Sequence, residues 1–216
     1  MAAYWVNTPD WFKKLFPEQI TLWNIKGDET PTVYITFDDG PHPDVTPFVL
    51  DVLKQYNAKA TFFCVGNNVT LYPAVYNSIL AGDHTTGNHT YDHKNGWKTH
   101  SSTYMLNIEK ASRVIKSNLF RPPYGRIRLS QIRKMRKSHP DWKLVMWSLL
   151  SADFDTTITG EQCLENVTSN IKPGSIVIFH DSLKAQERMS YALPRVLEYC
   201  QNKGWKMKAI PTQVIK

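Results

Sequence analysis

The sequence lacks three features that would define its class at once: a long apolar run, a cysteine pattern and a repeat. No window approaches the ~20 consecutive apolar residues that a membrane-spanning helix requires. The three cysteines, Cys64, Cys163 and Cys200, form no CxxC pair and no even disulfide set, which argues against a cysteine metal site or a thiol nucleophile. No linker or low-complexity tract divides the 216 residues, a length that suits one domain with a sizeable core.

The first residues also lack the marks of a secretory signal. The stretch from Met1 to Asn7 has neither a basic start nor an apolar core. We therefore expect a cytoplasmic protein, or a cell-envelope or secreted protein from which a leader has been removed.

The positive charge of the chain is moderate and carries no nucleic-acid signature. Lysine and arginine number 26 against 19 acidic residues, a formal net charge of +7. One cluster of cations could attract an anionic glycan or a nucleic acid, but the solvated face of a helix is the more common explanation. Its members are Arg126, Arg128, Arg133, Lys134, Arg136 and Lys137. Because no aromatic residues are interleaved with them, we expect no nucleic-acid partner. We also expect a monomer.

Strand-like and helix-like patterns alternate from Val33 onward, which predicts an α/β domain with parallel strands and helices outside them. The chain divides into an N-terminal segment, 1–30, and the domain proper, 31–216. The N-terminal segment is expected to contain a short helix that begins at Thr8–Pro9–Asp10, with the Thr8 hydroxyl as its cap and proline at the first helical position. The sheet is expected to be open or barrel-like. Predicted strands cover 33–37, 60–65, 143–147, 175–179 and 206–210, and predicted helices cover 45–56, 70–80, 103–117, 129–138, 160–169 and 191–202.

Two adjacent carboxylates, Asp38 and Asp39, follow the first buried strand directly. The end of a strand is where α/β enzymes usually place catalytic groups. One carboxylate can bind a metal while its neighbour accepts a proton, because the cation offsets their repulsion. Further along, His89 and His93 are spaced to lie on one face of a helical turn and to converge on one cation. With one carboxylate they would form a two-histidine, one-carboxylate set with open positions for hydrolysis.

Two further motifs contain residues suited to catalysis. In Arg121–Pro–Pro–Tyr124–Gly, the double proline stiffens a loop that would hold Arg121 and the Tyr124 backbone in place. The last motif is a buried strand that ends in His180, a reasonable general acid if it lies at the same end of the sheet as the acid pair.

Together these motifs resemble a polysaccharide deacetylase of the nodulation-protein-B type, carbohydrate esterase family 4. The resemblance rests on TFDDGPHP, HTYDH, RPPYG and the strand ending in FHD, in that order, and covers residues 31–210. It implies an irregular, TIM-like (β/α) barrel with about seven parallel strands. It also implies a metal-dependent hydrolase that acts on linear amide bonds and removes N-acetyl groups from N-acetylglucosamine polymers such as peptidoglycan or chitin.

The resemblance also implies roles for individual residues. Asp39, His89 and His93 match the ligands of one divalent metal, for which we expect zinc, with cobalt as the alternative. Asp38 matches the catalytic base and His180 the catalytic acid. Arg121 matches the residue that orients the base, and the backbone N–H of Tyr124 matches an oxyanion donor.

One motif departs from the family pattern. The family usually shows Asp-x-x-Asp-Trp after a strand, with an acid that pairs with the arginine. Here Leu150 replaces the first acid and Phe154 the tryptophan, while Asp153 matches the second acid. By alignment we expect Asp153 to pair with Arg121, with Asp155 as the alternative.

Two other functions remain open at this point. The same machinery could act on O-acetyl esters, whose alkoxide leaves more easily than an amine and needs less help from an acid. Alternatively, the chain could be a catalytically silent, metal-containing glycan-binding domain. The altered partner of the arginine is the only sequence feature that favours the silent domain.

Overall fold

The strand predicted at 33–37 is the centre of the fold. In the computed structural model, which describes residues 4–25 and 30–212, it extends over Thr32–Asp38 and every residue in it is buried. It pairs in parallel with neighbours on both sides. The strands are β1 (Thr21–Leu22), β2 (Thr32–Asp38), β3 (Thr61–Cys64), β4 (Thr85–Asn88), β5 (Leu119–Phe120), β6 (Lys143–Val145), β7 (Leu149–Leu150), β8 (Ile176–His180) and β9 (Lys206–Met207).

The strands form a parallel sheet in the order β1-β6-β5-β4-β3-β2-β8-β7, with β9 added to the start of β2. Within the described residues this path does not close between β1 and β7, so the sheet curves into an open barrel. The predicted α/β domain with a barrel-like parallel sheet is therefore confirmed. Residues 4–25 and 30–212 form nine strands rather than the expected seven or so, and four of these strands, β1, β5, β7 and β9, are only two residues long.

The helices cover the outside of the sheet with their apolar faces. In the last helix, Leu193, Val196, Leu197 and Cys200 are fully buried, as the i, i+3, i+4, i+7 pattern predicts. The helices are α1 (Asp10–Lys13), α2 (Val45–Gln55), α3 (Gly66–Leu71), α4 (Pro73–Ala81), α5 (Ser101–Ser112), α6 (Leu129–Ser138), α7 (Gly160–Thr168) and α8 (Gln186–Asn202), with a short 3-10 turn at Pro123–Gly125. None of these helices is both long enough and apolar enough to cross a membrane.

The N-terminal segment joins the two open edges of the sheet. Asn7 forms an antiparallel bridge with Leu149 of β7, and β1 pairs with β6 at the other edge. The helix begins close to its predicted start, but the expected cap is wrong. Pro9 precedes the helix, and the Thr8 hydroxyl donates to the Trp147 carbonyl instead of capping it. The hydroxyl is therefore used to attach the segment to the strand edge.

The close packing around Gly87 in β4 predicts that a larger residue at this position destabilises the fold. A Cβ added there would lie 2.5 Å from two ring atoms of Phe63, so the ring would have to move. We expect Gly87→Ala to lower the free energy of unfolding by ~1–3 kcal/mol, the usual cost of overpacking a core, in urea denaturation. Gly204→Ala is the contrast, because its Cβ meets nothing within 4 Å and costs only the strain of a φ of +70°. Wild-type stability for Gly87→Ala would contradict this prediction and would show that the Phe63 ring can move at no cost in free energy.

Candidate active site

The carboxyl ends of the parallel strands bring the sequence motifs together. Asp38 and His180 are the last residues of β2 and β8 and are register partners. His89 follows the end of β4, and Arg121 follows the end of β5. Because all these strands run the same way, their side chains meet at one edge of the sheet.

Asp39, His89 and His93 form a cluster that can hold a metal ion. One ligand atom from each lies within 4.8 Å of the others. Asp39 Oδ1 is 3.1 Å from His93 Nε2 and 3.7 Å from His89 Nε2. A carboxylate with two imidazoles is a donor set that suits zinc and related divalent cations. The residues present therefore fit the metal that the sequence implied.

The two histidines do not lie on a helical turn, so that expectation is wrong. The chain leaves β4 at Asn88 and continues as a loop in which Thr90 and His93 have positive φ values of 62° and 53°. The loop still brings the two rings together, with centroids 5.1 Å apart. Backbone bends replace helical spacing as the cause of convergence.

His89 is prepared to act as a ligand through Nε2. Its Nδ1 lies 2.8 Å from the Arg121 carbonyl oxygen, which can only accept, so Nδ1 carries the proton and Nε2 keeps its lone pair. Burial lowers the pKa of His89 to about 4, so the ring is neutral at pH 7. Partial burial opposes ionisation of Asp39, but the hydrogen bond to His93 and the positive charge of His180 lower its pKa below the usual range.

Asp38 is buried and bound to Arg121. The Arg121 Nη1 donates to Asp38 Oδ1 over 2.7 Å, and both side chains are almost completely inaccessible. Arg121 donates its other hydrogen bonds to the Thr36 hydroxyl and to the Val145 and Met146 carbonyls, and its guanidinium lies 4.0 Å from the Phe63 ring centroid.

The expected pairing of Arg121 with Asp153 or Asp155 is wrong. Arg121 points into the barrel towards the ends of β2 and β6, whereas Asp153 follows β7 on the far side of β8. Asp155 accepts a hydrogen bond from Tyr4 over 2.9 Å. Asp38 and backbone carbonyls accept the hydrogen bonds of the arginine instead. Arg121 therefore keeps its partners although Leu150 stands where the family has an acid.

Asp153 binds His180. Its Oδ1 lies 2.7 Å from His180 Nδ1, and its Oδ2 accepts the His180 backbone N–H, also over 2.7 Å. Burial favours the neutral imidazole, but the charge of Asp153 and this hydrogen bond outweigh it and raise the pKa of His180 to about 9. His180 therefore carries a proton at neutral pH.

Tyr124 lies beside the metal cluster in a strained turn. Its φ is 61°, its side chain is exposed, and its ring centroid is 4.7 Å from that of His93. The two hydrogen bonds that close the turn are donated by Gly125 and Arg126 to Pro122 and Pro123, not by Tyr124. The Tyr124 backbone therefore lies in a hydrogen-bonded turn that follows two residues whose φ angles proline restricts.

The sequence did not predict the residues whose hydrogen bonds hold the backbone next to Asp38 and Asp39. Asp181 accepts hydrogen bonds from the Gly40 N–H over 3.0 Å and from the Thr46 hydroxyl over 2.6 Å. A Cβ at Gly40 would lie 2.0 Å from an Asp181 oxygen, so only glycine fits. The Asn68 amide also donates to the Asp39 carbonyl over 2.7 Å. Asp181 is the last residue of the FHD motif. Its hydrogen-bond partner Gly40 is 141 positions away in the sequence, so the motif alone did not indicate this contact.

A solvent-open cavity of about 430 Å³ adjoins the metal cluster. Its walls include Asp39 and His93 together with other polar side chains from the same two loops, from the start of α3 and from the segment after β8: His42, Asp92, Asn67 and Ser182. A cavity of this size and polarity can admit a sugar-sized ligand next to the candidate metal.

The fold and the site together define an open (β/α)-barrel protein with a candidate metal centre beside two separately paired acid–base groups. The family model described as polysaccharide deacetylase matches residues 26–140, more than half of the chain. The chain belongs to the polysaccharide deacetylase family.

Relatives and a solved structure agree with this assignment. A protein of Bacillus cereus named peptidoglycan-N-acetylglucosamine deacetylase is 32% identical over 83% of this chain and 67% of its own length. A chitooligosaccharide deacetylase of Azorhizobium caulinodans is 29% identical over 83% of this chain and 93% of its own. The crystal structure of a peptidoglycan N-acetylglucosamine deacetylase bound to a hydroxamate-type benzamide superposes with a TM-score of 0.80 at 29% identity, covering 93% and 94% of the two chains.

The cluster geometry makes a prediction about metal content. We expect Asp39→Ala and His93→Ala to weaken zinc affinity by at least the ~10–100-fold that loss of an outer-shell partner causes, because each removes a direct ligand. Competitive chelator titration with elemental analysis measures this. His42→Ala is the matched control, since His42 lines the same cavity outside the cluster. Full zinc affinity in both cluster variants would contradict the site.

Proposed function

We propose that this protein is a metal-dependent de-N-acetylase that hydrolyses the acetamide of N-acetylglucosamine units in a peptidoglycan or chitin-type glycan. The observation that carries the proposal is the arrangement at one sheet edge. The metal cluster lies next to Asp38, paired with Arg121, and His180, paired with Asp153. The names of the relatives, peptidoglycan-N-acetylglucosamine and chitooligosaccharide deacetylase, support the substrate class.

Asp39, His89 and His93 would hold the cation, and we propose zinc, with cobalt as a substitute. When bound, it supplies Lewis acidity that makes water a better nucleophile at neutral pH. The protein residues supply the proton transfers.

Asp38 is the proposed base. Arg121 donates to its Oδ1 only, so Oδ2, which lies 3.7 Å from His89 Nε2, is left to accept a proton from the attacking water. The oxygen of that water bonds to the acetyl carbonyl carbon. The N–H of Tyr124, held in its strained turn, is the proposed donor to the oxyanion that develops.

His180 is the proposed acid. An amine cannot leave as an anion, so the nitrogen must gain a proton as its bond to the acetyl carbon breaks. His180 has its Nδ1 held by Asp153, which directs Nε2 and its proton towards the site. The products are acetic acid and a free glucosamine amine, and the proton taken by Asp38 balances the one lost from His180. At neutral pH the acetic acid then loses its proton to the amine or to solvent and leaves as acetate.

The first test measures acetate release from N-acetylglucosamine oligomers. We expect the metal-stripped protein to be inactive and zinc or cobalt to restore it. Asp38→Asn should lower kcat by ~10²–10⁴-fold, the usual contribution of a general base, while zinc content stays unchanged. Full activity of the stripped protein or of Asp38→Asn would contradict the proposal. Release only from O-acetylated sugars would instead identify an esterase.

The second test uses the pH dependence of kcat/KM. Because the pKa of His180 is raised to about 9, the acid form is present below that pH and the alkaline limb should fall as pH rises through it. Asp153→Asn removes the charge that raises this pKa and leaves the burial that lowers it. The alkaline limb should therefore move to lower pH. Asp155→Asn is the control, since Asp155 binds Tyr4 rather than His180. An unmoved limb in Asp153→Asn would exclude His180 as the acid.

A further inference from the structure

Trp97 is an exposed aromatic residue whose position is fixed. It stands in the loop between His93 and α5, and 52% of its surface is accessible. Its indole N–H donates to the Ile127 carbonyl over 3.2 Å. Its own carbonyl accepts a hydrogen bond from Arg128, and the preceding Gly96 N–H donates to the Arg126 carbonyl over 3.1 Å. The loop therefore presents the ring in one orientation.

About half of the Trp97 side chain remains accessible. The N–H edge is turned inward to Ile127, and the Arg126 guanidinium carbon lies 5.3 Å from the ring centroid, over one face. The accessible half of the side chain is available to a ligand. Trp97 also belongs to none of the hydrophobic clusters formed by residues 4–25 and 30–212, so core packing does not explain it.

Trp97 is linked to the candidate metal site through a short segment of chain. Ile127 follows Tyr124 by three residues, which limits the distance between their Cα atoms to ~11 Å. The Tyr124 ring contacts that of His93, a member of the metal cluster. Trp97 is thus bound to the same short segment that approaches the metal cluster, and it lies outside the walls of the cavity beside that cluster.

The chemistry of an open indole face suits a sugar ring. The face of an aromatic ring is electron-rich, and the C–H bonds on one face of a pyranose carry partial positive charge. A fixed ring also loses little conformational entropy on binding.

We propose that Trp97 is a stacking platform for the sugar unit next to the N-acetylglucosamine unit that reacts, so that the protein acts on glycan chains in preference to short sugars. This inference rests on the proposed function and adds a binding residue to it. The reacting sugar occupies the cavity beside the metal cluster, and the chain continues over Trp97.

The test compares N-acetylglucosamine and its oligomers from one to six units. With the wild-type protein, kcat/KM should rise with length. In Trp97→Ala, kcat/KM for the hexamer should fall about tenfold through KM, as expected for loss of one stacking contact, while the single sugar, which has no neighbouring unit, should be unaffected. Trp97→Phe should keep part of the effect. Trp11→Ala is the matched control, because Trp11 is also exposed but packs on Trp5 and Phe12 in the N-terminal segment.

Calorimetric binding of the hexamer to zinc-loaded Asp38→Asn, with and without Trp97→Ala, separates this inference from the proposed function. Binding that depends on Trp97 supports the platform even if no acetate is ever released. Turnover with equal losses for the single sugar and the hexamer in Trp97→Ala would show that Trp97 only supports the loop, and would overturn the platform while leaving the deacetylase intact. Hexamer binding and turnover unchanged by Trp97→Ala would also overturn it.

Discussion

The buried guanidinium of Arg121 is the constraint on which the site depends. Its side chain holds Asp38, and its main-chain carbonyl fixes the proton of His89, so one residue positions both the proposed base and a proposed metal ligand. A buried cation needs this many partners, because an uncompensated charge in the interior of a protein costs ~3–5 kcal/mol when its partner is removed. The carbonyls of Val145 and Met146 supply the remaining bonds. The geometry of the site and the stability of the barrel interior are therefore linked through the same hydrogen bonds.

Three carboxylates can share this small site because each faces a different partner. Asp38 faces Arg121, Asp153 faces His180, and Asp39 faces the two histidines of the metal cluster. The adjacent acids separate because the backbone turns sharply at Asp39, where φ is 81°. Such left-handed residues cost energy and persist only where the surroundings hold them. Here the bonds that Asp181 accepts from Gly40 and Thr46 provide that support next to the turn, and thereby keep the two carboxylates directed to different tasks.

The sequence predicted the strand ends well because burial and alternation are local properties. The strand that ends at Asp38 and the strand that ends at His180 follow directly from their apolar runs, and parallel pairing then requires both residues to lie at one edge. The conformation of the loops and the long-range partners of the site residues were harder to predict from the sequence. The spacing of His89 and His93 is compatible with a helix, and only the structure shows the positive φ that builds a loop instead. The partner of Asp153 depends on the order of the strands, because Asp153 follows β7 and therefore lies next to β8 and His180. Alignment to a motif carries no information about strand order.

The departure at Phe154 is accommodated by the N-terminal segment. Phe154 stands where the family usually has tryptophan, and its ring meets the edge of the His180 ring with centroids 5.3 Å apart. On its other side the Tyr4 ring packs against it at 5.6 Å, and the Tyr4 hydroxyl donates to Asp155 over 2.9 Å. Asp153 meets His180 through its own carboxylate, so the size of the neighbouring ring does not alter that pair. The opening between the first and last strands of the sheet is thus where the N-terminal residues support the loop of the proposed acid.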